Sequence, residues 1–181
     1  MTTPAEHGVV DARSPRLKVV IPAAGGGTRL RPHTNTTPKV LLHVAGKPIL
    51  GHIMDLIVPM APAEVIVVVG SQGELIEQYL RANYALTLRF VTQVERKGLG
   101  HAIMQAQDYF TNEPILVLLG DTILDLDLRQ VVGTTSVLGV RSVANPRRFG
   151  VVEVSDGYVR HLAEKPVQPR SNLALVGVSY F

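Results

Sequence analysis

The residues best suited to chemistry lie near the amino terminus, where "VVIPAAGGGTRLRPHTNTTPK" runs from Val19 to Lys39. A β-branched run stops at Pro22, three glycines follow, and Arg29 and Lys39 stand on the same excursion. Glycine loses more backbone freedom on folding than any other residue, so three in a row imply a need for bare backbone. At the carboxyl end of a buried strand in an open α/β sheet, successive N–H groups can form an anion-binding concavity. With two cations added, such a loop has the charge and reach to wrap a triphosphate. A glycine turn flanked by surface cations remains the open alternative. Neither of two familiar phosphate loops fits. The P-loop needs four residues between its glycines and then Gly-Lys-Ser/Thr, a run the chain lacks. The dinucleotide pattern G-x-G-x-x-G matches Gly25 and Gly27 but meets Leu30 at its last position, and Pro32 would break the helix that should follow.

A second candidate is Asp121, which ends the apolar run "LVLLGD". A carboxylate at the tip of a buried strand is well placed for Mg²⁺, which takes oxygen ligands and keeps much of its water while bridging substrate phosphates. A helix-capping role fits Asp121 nearly as well. Asp125 and Asp127 follow in "DTILDLDL", which lacks the Gly and final Glu of an EF-hand. His52 and His101 fall on helical patterns as packing or surface residues, and His33 lies in the glycine loop. No Ser-His-Asp arrangement or metal-binding histidine spacing occurs.

These residues need a frame to position them. "LKVVIP" (17–22), "EVIVVVG" (64–70), "LRFVTQ" (88–93) and "PILVLLGD" (114–121) read as strands, two of them apolar throughout as in sheets buried on both faces. Between them, 48–60, 73–84 and 100–110 read as helices, the first with Ile49, Ile53, Leu56 and Ile57 at helical spacing and Pro48 in its first turn. This alternation predicts right-handed crossovers and a three-layer α/β fold, Rossmann-like, around a mostly parallel mixed sheet. From about 134 the pattern changes to strand-like runs, "SVLGVRSV", "FGVVEV", "YVRHLAEKP" and "LALVGVSYF", separated by Asn-Pro and Asp-Gly turn signals. The chain ends on Phe181 inside such a run, so the sequence is expected to be a truncated piece of a longer protein.

With these motifs in order, "PAAGGGTRLRPHT…TPK" resembles the signature of the sugar-phosphate nucleotidyltransferases, most closely the glucose-1-phosphate thymidylyl- and uridylyltransferases. The resemblance runs from about 17 to 181. It implies that Ala24, Gly25, Gly27, Thr28, Arg29 and Lys39 hold nucleotide phosphates, with Gly26 the position that tolerates a side chain. It implies that Gln93 and Gly98, in "QVERKGLGHA", read the base. A carboxamide offers one donor and one acceptor in a plane, which suits the N3–H and O4 edge of uracil or thymine; guanine offers the same edge type, and a flipped amide suits adenine. On the residues alone, a strand-end Gln capping the next helix is the alternative. The resemblance also implies Asp121 as a Mg²⁺ ligand. From "RRFGVVEV…LAEKPVQPRSN" it implies Gly150, Glu164 and Asn172 for the sugar and Lys165 for its phosphate. Carboxylates suit vicinal diols and lysine suits phosphate as a point charge, although on the residues alone a solvated turn is the stronger reading of E-K-P. The expected reaction joins an NTP and a sugar 1-phosphate and releases pyrophosphate. Three alternatives stand beside it: a non-catalytic binding module or inactive fragment, a mannose-1-phosphate guanylyltransferase, and a nucleotidyltransferase acting on a polyol phosphate or a molybdenum cofactor, against which the E-K-P element argues.

Bulk properties narrow the field. Eighteen Lys and Arg against fifteen Asp and Glu leave a net charge of +3, too weak and scattered to indicate a nucleic-acid or anionic-membrane partner. The absence of cysteine removes disulfides, thiolate metal sites and a Cys nucleophile, and fits a reducing cytoplasm. Residues 1–16 carry no signal-peptide pattern and are expected to form a flexible tail. Residues 17–181 are expected to form one catalytic domain, with a nucleotide-binding half at 17–133 and the start of a sugar-binding half at 134–181. Assembly as a homo-oligomer is left open.

Overall fold

Unbroken β-branched runs form the centre of the molecule. The computed structural model describes residues 17–95, 97–133 and 135–181, so the expected tail at 1–16 lies outside the described residues. In chain order, β1 (Lys18–Pro22) leads through a long loop to a small hairpin of β2 (His43–Val44) and β3 (Lys47–Pro48). Helix α1 (Ile49–Ile57) follows and tightens into a 3-10 turn, Val58–Met60. Next come β4 (Glu64–Val69), α2 (Gly73–Asn83), β5 (Leu88–Thr92), α3 (Leu99–Met104) and β6 (Ile115–Leu118). The remainder is β7 (Val137–Ser142), β8 (Gly150–Ser155), β9 (Tyr158–Glu164) and β10 (Leu173–Tyr180).

Three details differ from the sequence reading. Pro48 belongs to β3 and precedes α1, because it closes the hairpin opposite His43. The helix expected over 100–110 stops at Met104 and resumes as a separate 3-10 turn at Gln107–Tyr109. The strand expected to reach 121 ends at Leu118, which leaves Gly120 and Asp121 in the loop beyond it.

The strands form one eight-stranded mixed sheet in the order β5-β4-β1-β6-β10-β8-β9, with β7 also on β10. The first four are parallel, β1 lying between β4 and β6. The rest pair antiparallel. At the β8–β9 turn Asp156 and Gly157 both take positive φ, 54° and 77°, the geometry that matches hairpin twist and that the Asp-Gly pair predicts.

Strand side chains alternate between faces, and here both faces are covered. Val19, Ile21, Val65, Val67, Leu116 and Leu118 join a core roofed by Ile49, Ile53 and Ile57 of α1 and Ile76 and Leu80 of α2. Val20, Ile66, Val68 and Val117 point the other way, against Ala102 of α3 and Ala106. This is the three-layer arrangement, and burying each large aliphatic contributes about 1.5–3 kcal/mol. Because β1, β4, β5 and β6 run in one direction, their carboxyl ends emerge along a single edge of the sheet. Among the described residues no helix is long and apolar enough to cross a membrane.

Candidate active site

The glycine loop leaves β1 under tight restraint. The amide of Ala23 donates to Val68 O at 2.7 Å, and that of Gly120 donates to Pro22 O at 3.2 Å, so the neighbouring strands grip the loop's root. Both neighbours end in a glycine for steric reasons. A Cβ on Gly70 would lie 3.0 Å from Ala24 O, and one on Gly120 3.0 Å from Pro22 O. Neither glycine stands out in the sequence, since only the fold reveals what passes beside them.

Within the loop the glycines differ. Gly27 adopts φ 57° and ψ 24°, the left-handed region, and a Cβ there would sit 2.7 Å from Thr34 Cγ2. The Thr34 hydroxyl, buried in the loop, donates to Gly27 O at 2.9 Å and folds the loop back on itself. Gly25 has no such constraint: a Cβ there would meet no atom within 4 Å. Among the described residues, no hydrogen bond engages the amides of Ala24 and Gly25. Gly27 is therefore a conformational glycine, whereas Gly25 leaves its backbone open to the outside.

The loop borders a cavity of about 320 Å³, and here the predicted residues converge. Ala24, Gly25, Lys39, Gln93, Gly98 and Asp121 line it, with Pro22, Val40, Leu99 and Ala102 supplying apolar walls. Most lie just past the carboxyl ends of β1, β5 and β6, where ligands bind in open α/β sheets, and Lys39 comes from a 3-10 turn further along the β1 loop. Across the cavity the Lys39 ammonium donates to Asp121 Oδ2 at 2.5 Å. Both side chains are partly exposed, 30% and 43%, so the pair adds little stability and each charge remains accessible. A second hollow, of about 440 Å³, lies where Gly26, Arg31, Thr34 and Asn35 face Gly70 and Gln72. Arg31 and Asn35 had no role in the sequence reading.

Gln93 is buried, a strong placement for a polar side chain. Its backbone amide donates to Val69 O at 2.8 Å, which extends the β4–β5 ladder by one bond. Its Nε2 donates to Gly98 O at 3.4 Å and lies 2.8 Å from His101 Nδ1. Gly98 opens α3 with φ 98°, a conformation disfavoured for any residue with a side chain. His101, expected to serve packing or the surface, packs its ring against the base-reading candidate.

The remaining sequence candidates sit apart from this cavity. Thr28 and Arg29 stand exposed on a 3-10 turn further along the loop. Gly150 pairs with Glu164 across β8 and β9, and a Cβ on Gly150 would approach Glu164 Oε2 to 3.2 Å. Lys165 takes φ 43°, its amide donates to Phe149 O at 3.1 Å, and its ammonium donates to Glu164 Oε1 at 2.5 Å. Asn172 donates to Ser142 Oγ at 2.9 Å. The structure thus gathers Gly150, Glu164 and Lys165 in one place and holds Asn172 to the end of β7.

Comparison with known proteins agrees with this architecture. Over 175 residues the chain is 35% identical to UTP–glucose-1-phosphate uridylyltransferase AglF of Haloferax volcanii, covering 91% of this chain and 72% of that protein. It is 33% identical to glucose-1-phosphate thymidylyltransferase of Streptomyces antibioticus, covering 91% of this chain but only 49% of the relative. The structure of a UDP-glucose pyrophosphorylase complexed with UDP-glucose superposes with a TM-score of 0.81 at 25% identity, over 92% of this chain and 76% of that one. The family model described as nucleotidyl transferase matches residues 18–181, the whole sheet and every loop of the cavity, and the chain belongs to that family.

Proposed function

We propose that this chain transfers a nucleotidyl group from an NTP, with UTP or dTTP favoured, to a sugar 1-phosphate, with glucose 1-phosphate favoured, forming an NDP-sugar. The observation that carries this reading is the convergence of Gly25, Lys39, Gln93, Gly98 and Asp121 around one cavity. In the reaction an oxygen of the sugar 1-phosphate attacks the α-phosphorus of the NTP in line. The bond from that phosphorus to the β-bridging oxygen breaks, and pyrophosphate departs with the electron pair. The attacking oxygen is already ionised, so no general base is needed, and the protein's contribution is positioning and charge stabilisation.

The open amides of Ala24 and Gly25 would face the phosphates, with Lys39 as the facing cation. Arg29, carried on the exposed turn beyond Gly27, would neutralise charge on the leaving pyrophosphate. Glu164 and Gly150 would bind the sugar, Asn172 would join them, and Lys165 would hold the attacking phosphate. Asp121 fits Mg²⁺: Lys39 takes its Oδ2, while its Oδ1 has only a 3.4 Å contact from Thr122 Oγ1. Among the described residues no three acidic or histidine side chains cluster, so Asp121 is their one candidate ligand, beside substrate phosphates, water and the second protein ligand that the family resemblance implies from a later segment. When bound, the ion offsets phosphate charge.

The test is pyrophosphate release on mixing the chain with UTP or dTTP, glucose 1-phosphate and Mg²⁺. Release with one NTP and one sugar phosphate from a panel supports the proposal. Nucleotide binding without release favours a binding module, a reading supported by the chain's covering only 49% of the thymidylyltransferase relative. Absence of both nucleotide binding and pyrophosphate release would overturn the assignment.

A further inference from the structure

Gln93 carries two chemically different faces on one amide, and its surroundings decide which faces the cavity. Gly98 O can only accept, so the amide edge that meets it at 3.4 Å is the NH₂ edge. That carbonyl already takes the α3 amide of Ala102 at 3.1 Å, which fixes its position. The same NH₂ group lies 2.8 Å from His101 Nδ1. An NH₂ group donates, so Nδ1 must accept, and the imidazole proton resides on Nε2. Gln105 Nε2 stands 3.3 Å from that nitrogen, but its NH₂ group donates to His101 O at 3.3 Å, so the shorter contact from Gln93 sets the tautomer. Both N–H bonds of Gln93 are then spent inside the protein, and only Oε1 remains for a ligand in the cavity that Gln93 lines.

We infer that His101 is a positioning residue that locks Gln93 as an acceptor-only reader, so that the site selects a nucleobase presenting an N–H at the contacted position. Uracil and thymine offer N3–H there, and guanine offers N1–H. Cytosine and adenine place a lone pair at the same ring position, and two acceptors face each other at a cost. The proposal rests on the nucleotide-binding reading above and narrows it. Burial makes the selection steep, because a polar atom left unpaired there keeps its full desolvation penalty.

The experiment measures dissociation constants of the full chain for UTP and CTP, with GTP and ATP as the purine pair, in wild type, His101→Leu and His101→Asn. Wild type should favour UTP over CTP by at least about tenfold, the scale of one unpaired buried group. Without an acceptor at position 101 only the long 3.4 Å contact to Gly98 O restrains the Gln93 amide, so His101→Leu should lose about tenfold of that ratio, UTP weakening while CTP tightens. His101→Asn places a carbonyl near the lost Nδ1 and should retain the wild-type ratio. A merely structural role for His101 would weaken both nucleotides alike and leave the ratio unmoved. Should His101→Leu fail to fold, His101→Met provides the same readout. An unchanged ratio in a folded Leu or Met variant overturns the inference while nucleotide binding stands. So does a wild-type chain that binds both members of each pair equally. A wild-type chain that binds no nucleotide overturns this inference and the proposed function together.

Discussion

Replacing Gly27 by alanine tests the loop most directly. The residue sits at φ 57°, where an L side chain costs about 1–2 kcal/mol. The new methyl would lie 2.7 Å from Thr34 Cγ2 and 3.1 Å from Lys39 Cβ. Thr34 is buried and cannot move freely, so relief requires its rotation and loss of its 2.9 Å bond to Gly27 O, about 0.5–1.5 kcal/mol more. The sum is about 1.5–3.5 kcal/mol against the loop's conformation, or about 10- to 300-fold in any equilibrium that requires it. Nucleotide affinity, measured by calorimetry, should fall by that factor. Thr34→Ser in the same chain removes Cγ2 while keeping the hydroxyl, and should recover the clash but not the backbone cost. Gly25→Ala meets no atom within 4 Å, so it should leave the melting temperature unchanged and weaken nucleotide binding alone. Gly26→Ala should be nearly silent in both. A Gly27→Ala chain with wild-type affinity and stability would refute the steric account.

Three further outcomes follow from the same geometry. Arg29→Ala should cut pyrophosphate release by about 10²–10³ with the melting temperature unchanged, because the side chain is exposed; near-normal release would remove Arg29 from the site. Leu118→Ala, at a fully buried position of the larger core, should cost about 2–5 kcal/mol, seen as a lower urea midpoint at constant slope. Asp127 is held below the usual carboxylate range by hydrogen bonds from the Arg129 side chain and then its amide. A depressed carboxyl contributes stability above its unfolded value and loses it as pH falls. Asp127→Asn should therefore narrow the stability difference between about pH 5 and pH 2, measured by thermal melts.

The parallel half of the fold was legible because burial on both faces writes itself as continuous apolar sequence. "EVIVVV" is such a run, and every residue of β4 is buried. The antiparallel half was legible through its turns, since all but one residue of β9 are exposed and its alternation is faint. The β2–β3 hairpin was invisible, having strands of two residues each, too short to show a period. For the site, the glycines and cations announced themselves by type and spacing. Gly70, Gly120 and Thr34 did not, because their importance lies in what another segment brings beside them. The contact of His101 with Gln93 was not legible for a related reason: it depends on an amide eight residues away across a loop and a helix turn.

The path of β10 has a mechanical consequence. Tyr180 pairs with Leu116 of β6 and Val137 of β7, while Ala174 pairs with Val151 of β8 and Arg141 of β7. One strand thus stitches the ladder leading to Asp121 to the ladder that begins at Gly150. A hinge between these regions would have to tear that stitching, so they behave as one stiff plate. Any tightening around a bound molecule would have to come from the loops, with the plate as the fixed anvil beneath them.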